Sequence, residues 1–307
     1  MDPTHLHLLL NHVPTVGFGV GVALFVISLA ARSNDLKRGS LVVFVGVALL
    51  SIVTYVTGNA AQEAVMENPD VTESMIVTHE GAAFLALGFM ELVGGLSWFA
   101  LWQFRRTSRL SGGMGGVILI LSLVTLVLMT GAANLGGLIN HPEIRGAEEV
   151  TTRIGPLART VGDFVRDTPW TWIAAETLHF IGLSLLVGVI ALIDLRMLGV
   201  MKQVPFAALD RLLPWAILGF SMNVFTGMLF VAAAYGQYTA NTAFYWKLVF
   251  VLVAGANTLY FTFDRAWTLE PGRDAPMLSK AAATVALLSW VLVMYYGSML
   301  PFIGNAF

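Results

Sequence analysis

Cysteine is absent from this 307-residue chain, so any metal or redox chemistry rests on six histidines, with carboxylates and methionines beside them. Without a thiolate there is no disulfide, no iron–sulfur cluster and no c-type haem attachment. His5, His7 and His12 open the first long apolar segment and His79 opens the third. His141 follows the fourth, and His179 lies roughly 10 Å into the fifth at about 1.5 Å per residue. Every histidine therefore maps toward one face of whatever the apolar segments build. His12 and His79 form the most informative pair. If segments 1 and 3 run parallel, their imidazoles lie at similar depth and can face each other across a bundle. That is the arrangement of bis-histidine ligation of a b-type haem, one ring from each of two helices, with small residues nearby to admit the flat macrocycle. Gly17, Gly19 and Gly21 follow His12, and Gly81, Ala82 and Ala83 follow His79. The plainer reading places these rings among lipid headgroups, hydrogen-bonded to water or carbonyls. Ionisable groups within a membrane are costly enough to favour the functional reading.

A rival chemistry uses Glu176 and His179 as non-haem metal ligands. Glu176-Thr177-Leu178-His179 puts a carboxylate and an imidazole on one helical face, the spacing found in carboxylate-bridged di-iron bundles. Such a centre needs a second pair of this kind, and the sequence has none; Glu63, Glu80, His5 and His7 are the other donors on that side. Within the apolar segments, Glu91, Asn223, Thr226 and Asn257 suit hydrogen bonds between helices. Glu91 or Asn223 could also meet a quinone headgroup. Asp194 and Arg196 sit near the end of the fifth segment, where an interfacial anchor is expected.

The elements that must position these groups follow from composition. Hydrophobic residues make up 57% of the chain and charged residues 12%, against roughly a quarter charged in ordinary globular domains. The apolar runs approach the roughly 20 residues that a bilayer core requires. The expected fold is an all-α integral membrane protein with about eight transmembrane helices, over 6–31, 40–62, 74–103, 112–138, 171–198, 212–236, 243–264 and 280–303. The N-terminus lacks the basic start of a cleaved signal peptide, so the first segment is expected to stay as a helix. Arg32, Lys37 and Arg38 lie between segments 1 and 2, and Arg105, Arg106 and Arg109 between 3 and 4. Arg196, Lys202 and Arg211 follow segment 5, and Arg265, Arg273 and Lys280 follow segment 7. These alternate loops share one side, while the loop with Glu63, Glu67, Asp70 and Glu73 carries no base. The positive-inside rule then puts both termini outside, which for a bacterial inner (cytoplasmic) membrane means the periplasm.

Two four-helix bundles are expected, over 1–141 and 170–307, joined by a connector over 142–169. In the connector, Ile154, Leu157, Val161, Phe164 and Val165 recur at helical spacing and predict a short amphipathic helix on the outer surface. The N-terminal half also looks duplicated. Asn11-His12 corresponds to Thr78-His79, and Thr57-Gly58-Asn59-Ala60-Ala61 to Thr130-Gly131-Ala132-Ala133-Asn134, as two hairpins about a pseudo-two-fold axis normal to the membrane.

Asn11-His12-Val13-Pro14, His79-Glu80-Gly81 and Asn134-Leu135-Gly136-Gly137-Leu138-Ile139-Asn140-His141 together resemble a bacterial four-helix membrane domain of unknown function. That domain is marked by a His-x-Pro start and a Leu-Gly-Gly…His end, and the likeness covers roughly 5–146. The second half, with Glu176-Thr177-Leu178-His179-Phe180-Ile181-Gly182 and Asp194-Leu195-Arg196-Met197-Leu198-Gly199, resembles another uncharacterised four-helix bacterial membrane family. Both are similar in plan to b-type cytochromes. Members of the second type carry a histidine after the seventh span's Asn, where this chain has Asn257-Thr258-Leu259-Tyr260, so a second bis-histidine haem is not expected here.

Together these readings predict a membrane-bound b-type cytochrome subunit transferring electrons on the periplasmic side, between a periplasmic redox protein and quinone, within a larger oxidoreductase complex. His12 and His79 would hold haem b, with His141 and His179 as further ligands or as propionate or proton partners. The alternatives are a non-haem metal protein or a structural or assembly subunit. The formal charge of −2 and the absence of a basic stripe exclude a nucleic-acid partner.

Overall fold

The computed structural model describes residues 3–140, 156–263, 269–300 and 302, and among these there is no β-strand. Helix α1 (Pro3–Leu10) continues through a π-helical turn (Val13–Gly17) into α2 (Phe18–Ala30). The chain then forms α3 (Asn34–Met66), α4 (Glu73–Thr107), α5 (Gly112–Asn140), α6 (Leu157–Asp167) and α7 (Thr171–Leu198). After these come α8 (Phe206–Asp210), α9 (Leu213–Thr239), α10 (Thr242–Phe263) and α11 (Met277–Met299). Eight segments among the described residues are long and apolar enough to cross a membrane, the first being Thr4–Ala30 and the last Met277–Met299. The chain is an all-α, multi-pass membrane protein, as its hydropathy predicts. The third and fourth helices run past the apolar stretches that foretold them. Ser33 caps α3 by accepting from the Leu36 amide at 3.3 Å. Glu73 at the start of α4 and Arg105 and Arg106 at its end complement the helix dipole.

The π-turn falls where Pro14 interrupts the first span. A proline lacks the N–H for the helical ladder and its ring crowds the preceding turn, and a one-residue widening accommodates both. Pro14 is buried there, and Asn11 Oδ1 just before it is buried with no hydrogen-bond partner.

Two compact units are formed, one by residues 1–97, 111–173 and 228–240, the other by 98–110, 174–227 and 241–307. In the first, Phe44 packs on Phe18 and Phe25 with ring centroids 5.0 and 6.1 Å away. Small residues set the helix spacing: a Cβ on Gly21 would stand 2.8 Å from the Phe44 ring and one on Gly17 2.8 Å from Val47. Lipid tails are as apolar as leucine, so this close steric fit is what holds membrane helices together.

The predicted connector helix is present as α6. Ile154 and His141 lie outside the described residues. The buried stripe of α6 is Ala158, Gly162 and Val165, whereas Phe164 is exposed. The stripe rests on the last turns of α9, where the helix kinks at Ala234 (φ −142°, ψ 41°). Arg166 donates to the Ala233 carbonyl beside that kink at 3.2 Å, and Gly162 lies directly on the Ala232 carbonyl, leaving no room for a side chain.

In the second unit the end of α4 is tied to α8 and α10. The Trp98 indole donates to Thr262 Oγ1 at 3.3 Å and the Trp102 indole to the Asp210 carbonyl at 3.0 Å. Arg105 pairs with the Asp210 carboxylate, which Arg106 also reaches at 3.3 Å. Elsewhere Asn257 donates across to the Ala282 carbonyl at 2.8 Å, the packing role its sequence position suggests.

Gly162→Val forces a side chain into the α9 carbonyls and is expected to destabilise the protein by about 1–3 kcal/mol. Thermal unfolding in mild detergent should show a lowered midpoint, while Phe164→Ala, which alters an exposed position of the same helix, should leave it nearly unchanged.

Candidate functional site

Two histidines of the first unit occupy seats of the same construction. His7 on α1 lies against α3, its Nδ1 3.0 Å from the Thr54 carbonyl. The ring rests on Gly58, where a Cβ would stand 2.8 Å from His7 Cε1. His79 on α4 lies against α5, its Nδ1 3.0 Å from the Ala132 carbonyl. It rests on Gly136, where a Cβ would stand 3.0 Å from His79 Cε1. In both cases the carbonyl belongs to the residue four positions before the glycine. That carbonyl already serves the helix's own ladder. With no side chain on the glycine, the imidazole can come flat onto the helix and add a second hydrogen bond to it.

A carbonyl only accepts, so each Nδ1 must carry the proton and donate. This fixes the tautomer and leaves Nε2 as the nitrogen with a lone pair. Neither Nε2 makes a hydrogen bond among the described residues. Both rings are thus oriented through Nδ1 by backbone carbonyls, the way carbonyls orient histidines that ligate a metal through the other nitrogen.

Next to His79, Glu80 is buried and faces Arg159 of α6. Arg159 hydrogen-bonds Glu73 at 2.7 Å and stands 3.7 Å from Glu80. The hydrogen bond to Glu73 raises the Arg159 guanidinium above its ordinary range, against the effect of its partial burial. The pair Glu73 and Glu80 lies seven residues apart on α4, two turns along one face, so a single arginine can bridge them. This clasp secures α6 to the end of α4 that carries His79.

The other expected ligands sit differently. His12 is exposed at the entry to the π-turn. Gly17 and Gly21, which follow it, are filled by Val47 and Phe44 rather than open to a cofactor. His141 lies outside the described residues. In the second unit His179 Nδ1 meets Thr226 Oγ1 at 2.8 Å. That hydroxyl also lies 2.8 Å from the Met222 carbonyl. Glu176 is exposed. No three His, Cys, Asp or Glu side chains converge on a metal position among the described residues. Asn223 donates to the Gly219 carbonyl on its own helix at 2.9 Å. Asp194 and Arg196, near the end of α7, are fully buried within the protein.

The structural correspondence between the two hairpins runs in a different register from the one the sequence suggests. His7 takes the place assigned to His12, five residues earlier, and Gly136 the place assigned to Gly131, five residues later. A usable signal was present: a histidine near the start of one span and a glycine near the end of the next, repeated once. Comparison with protein-family models, curated proteins and solved structures gave no match.

The seats can be tested without any cofactor. Gly58→Val should lift the His7 ring from the Thr54 carbonyl. Peptide mapping after diethyl pyrocarbonate treatment should then show a severalfold faster acylation of His7 with His12 unchanged; an unchanged His7 rate would mean that the glycine does not seat the ring.

Proposed function

We propose that this protein is the membrane subunit of an electron-transfer complex, a b-type cytochrome whose haem is held by His7 and His79. The observation that carries this reading is the pair of matching seats, in which both imidazoles donate Nδ1–H to a helix carbonyl and leave Nε2 uncommitted. The donor set suits haem better than a bare metal ion, which would ask for a third or fourth ligand. A haem held by two imidazoles supplies one-electron transfer without an open position for substrate. The chain's own residues do the rest. The Thr54 and Ala132 carbonyls hold the tautomers, Gly58 and Gly136 set the ring planes against the helices, and the Arg159 clasp fixes the outer end of α4.

The arginine-rich loops support a histidine end on the periplasmic side of a bacterial inner membrane. Electrons would pass there between a periplasmic redox protein and quinone in the bilayer. The acidic turn containing Glu67 and Asp70, and the outer face of α6, offer surfaces for that partner. The pairing of His12 with His79 is the rival ligand assignment and is decided by the same measurement.

Dithionite-reduced minus oxidised spectra, with a pyridine haemochrome count, should show a b-type α-band in protein from haem-replete cells. The band is expected to vanish in His7→Ala and His79→Ala and to persist in His12→Ala, with each variant checked for monodispersity and helix content. Loss in His12→Ala with persistence in His7→Ala would move the ligand to His12. Absence of haem from folded wild-type protein would overturn the cytochrome reading and turn attention to metal content and a structural role.

A further inference from the structure

The second unit contains a buried carboxylate that the electron-transfer reading does not use. Asp194, four residues before the end of α7, has no exposed surface, and neither of its oxygens has a hydrogen-bond partner. Arg196 does not serve it. The Arg196 guanidinium donates to the carbonyls of Val204, Arg273 and Glu270 at 2.8, 3.3 and 3.5 Å and lies over the Phe206 ring at 5.1 Å.

Asp194 lines a cavity of about 30 Å³, enough for about two water molecules by the roughly 10–15 Å³ that each needs. The remaining polar groups of the wall are Arg105, Asp210 and Thr258, and the rest is apolar, including Ile190, Met197 and Leu213. Asp210 is already held by Arg105 and Arg106. Thr258 gives its proton to the Ala254 carbonyl at 2.9 Å and can only accept. The wall therefore holds an acid with no donor of its own beside an ion pair that is already made.

An ionised carboxylate in such a place costs several kcal/mol, and the usual relief is to bind a proton, a cation or a donor. A hard metal cation is a poor fit. It wants about six oxygen ligands, whereas this wall is mostly carbon and carries the positive Arg105. A proton needs one oxygen and a water to deliver it. As an acid, Asp194 also gains an O–H that the Thr258 oxygen or a cavity water can accept.

We infer that Asp194 and this cavity form a proton-binding site, loaded through water from the arginine-rich end of the helices. The step is the simplest possible: a proton leaves hydronium and joins a carboxylate oxygen, and no other bond changes. When the proton leaves, Arg105 is the cation lining the cavity with the new charge, while Arg106 stays with Asp210. The site thus links proton occupancy to the choice Arg105 makes between two carboxylates. The inference stands apart from the haem reading, since its residues belong to the second unit and His7 and His79 to the first.

Infrared spectroscopy of the purified protein at neutral pH tests it. The expected result is a carbonyl band of a protonated carboxylic acid that shifts when aspartate is ¹³C-labelled, does not shift when glutamate is, and moves in D₂O. Asp194→Asn, close to isosteric, should abolish that band. Should the variant not fold, the labelled wild-type spectra still decide. A wild-type spectrum with no aspartate-derived acid band at neutral pH, or a band that survives Asp194→Asn, would overturn the site. A band that never exchanges in D₂O would equally overturn it, because the cavity would then not carry the proton.

Discussion

A backbone carbonyl inside a bilayer has no water to turn to, and a helix accepts a foreign donor most readily where a missing side chain or a kink uncovers one. That constraint governs the first unit. Thr54 and Ala132 offer their carbonyls because Gly58 and Gly136 leave the helix bare one turn later. The same logic recurs where Arg166 reaches the carbonyl of Ala233 beside the α9 kink. Arg196 extends it, placing a whole guanidinium among chain carbonyls near the end of α7. In each case a side-chain donor is bound by main chain, which orients it more firmly than another mobile side chain would.

The membrane helices were legible because each carries an apolar run of the needed length, and nothing else in the chain mimics one. The amphipathic connector was legible from its period, though its buried stripe lies on Ala158, Gly162 and Val165 rather than on the largest residues. Gly162 shows why: contact with the α9 backbone selects for absence of a side chain, and hydrophobic size is the wrong measure for it. That histidines gather at the start of the first and third spans could also be read, but not which of them is seated on a glycine. Gly17 and Gly21 look like room for a cofactor in sequence and prove to be filled by Val47 and Phe44. His7 and His12 both open the first span, and only the three-dimensional register says which ring meets a glycine.

Asp194 and Arg196 teach a related lesson. Opposite charges two residues apart invite the reading of a pair at the membrane surface. On a helix, however, such residues project to opposite sides, because neighbours on one face are three or four apart. One is drawn to the carbonyls of two connecting segments and the other is left facing a cavity. Meanwhile the partners that do meet, Arg105 and Asp210, are far apart in sequence and belong to α4 and α8. Charge in this protein is distributed by which helix faces which, and sequence spacing alone carries little of that.

The widened turn at Val13–Gly17 has a consequence for the first span as a whole. One additional residue in a turn rotates everything before it by about 100° relative to everything after, since an α-helix turns through 360° in 3.6 residues. The first span is therefore two helices with different azimuths, and the faces of α1 and α2 are set independently. Pro14 works as a phase adjuster between them: it lets α2 present Gly21 to α3 while α1 turns His7 onto the same helix. A regular helix through this stretch would have to choose one of the two contacts.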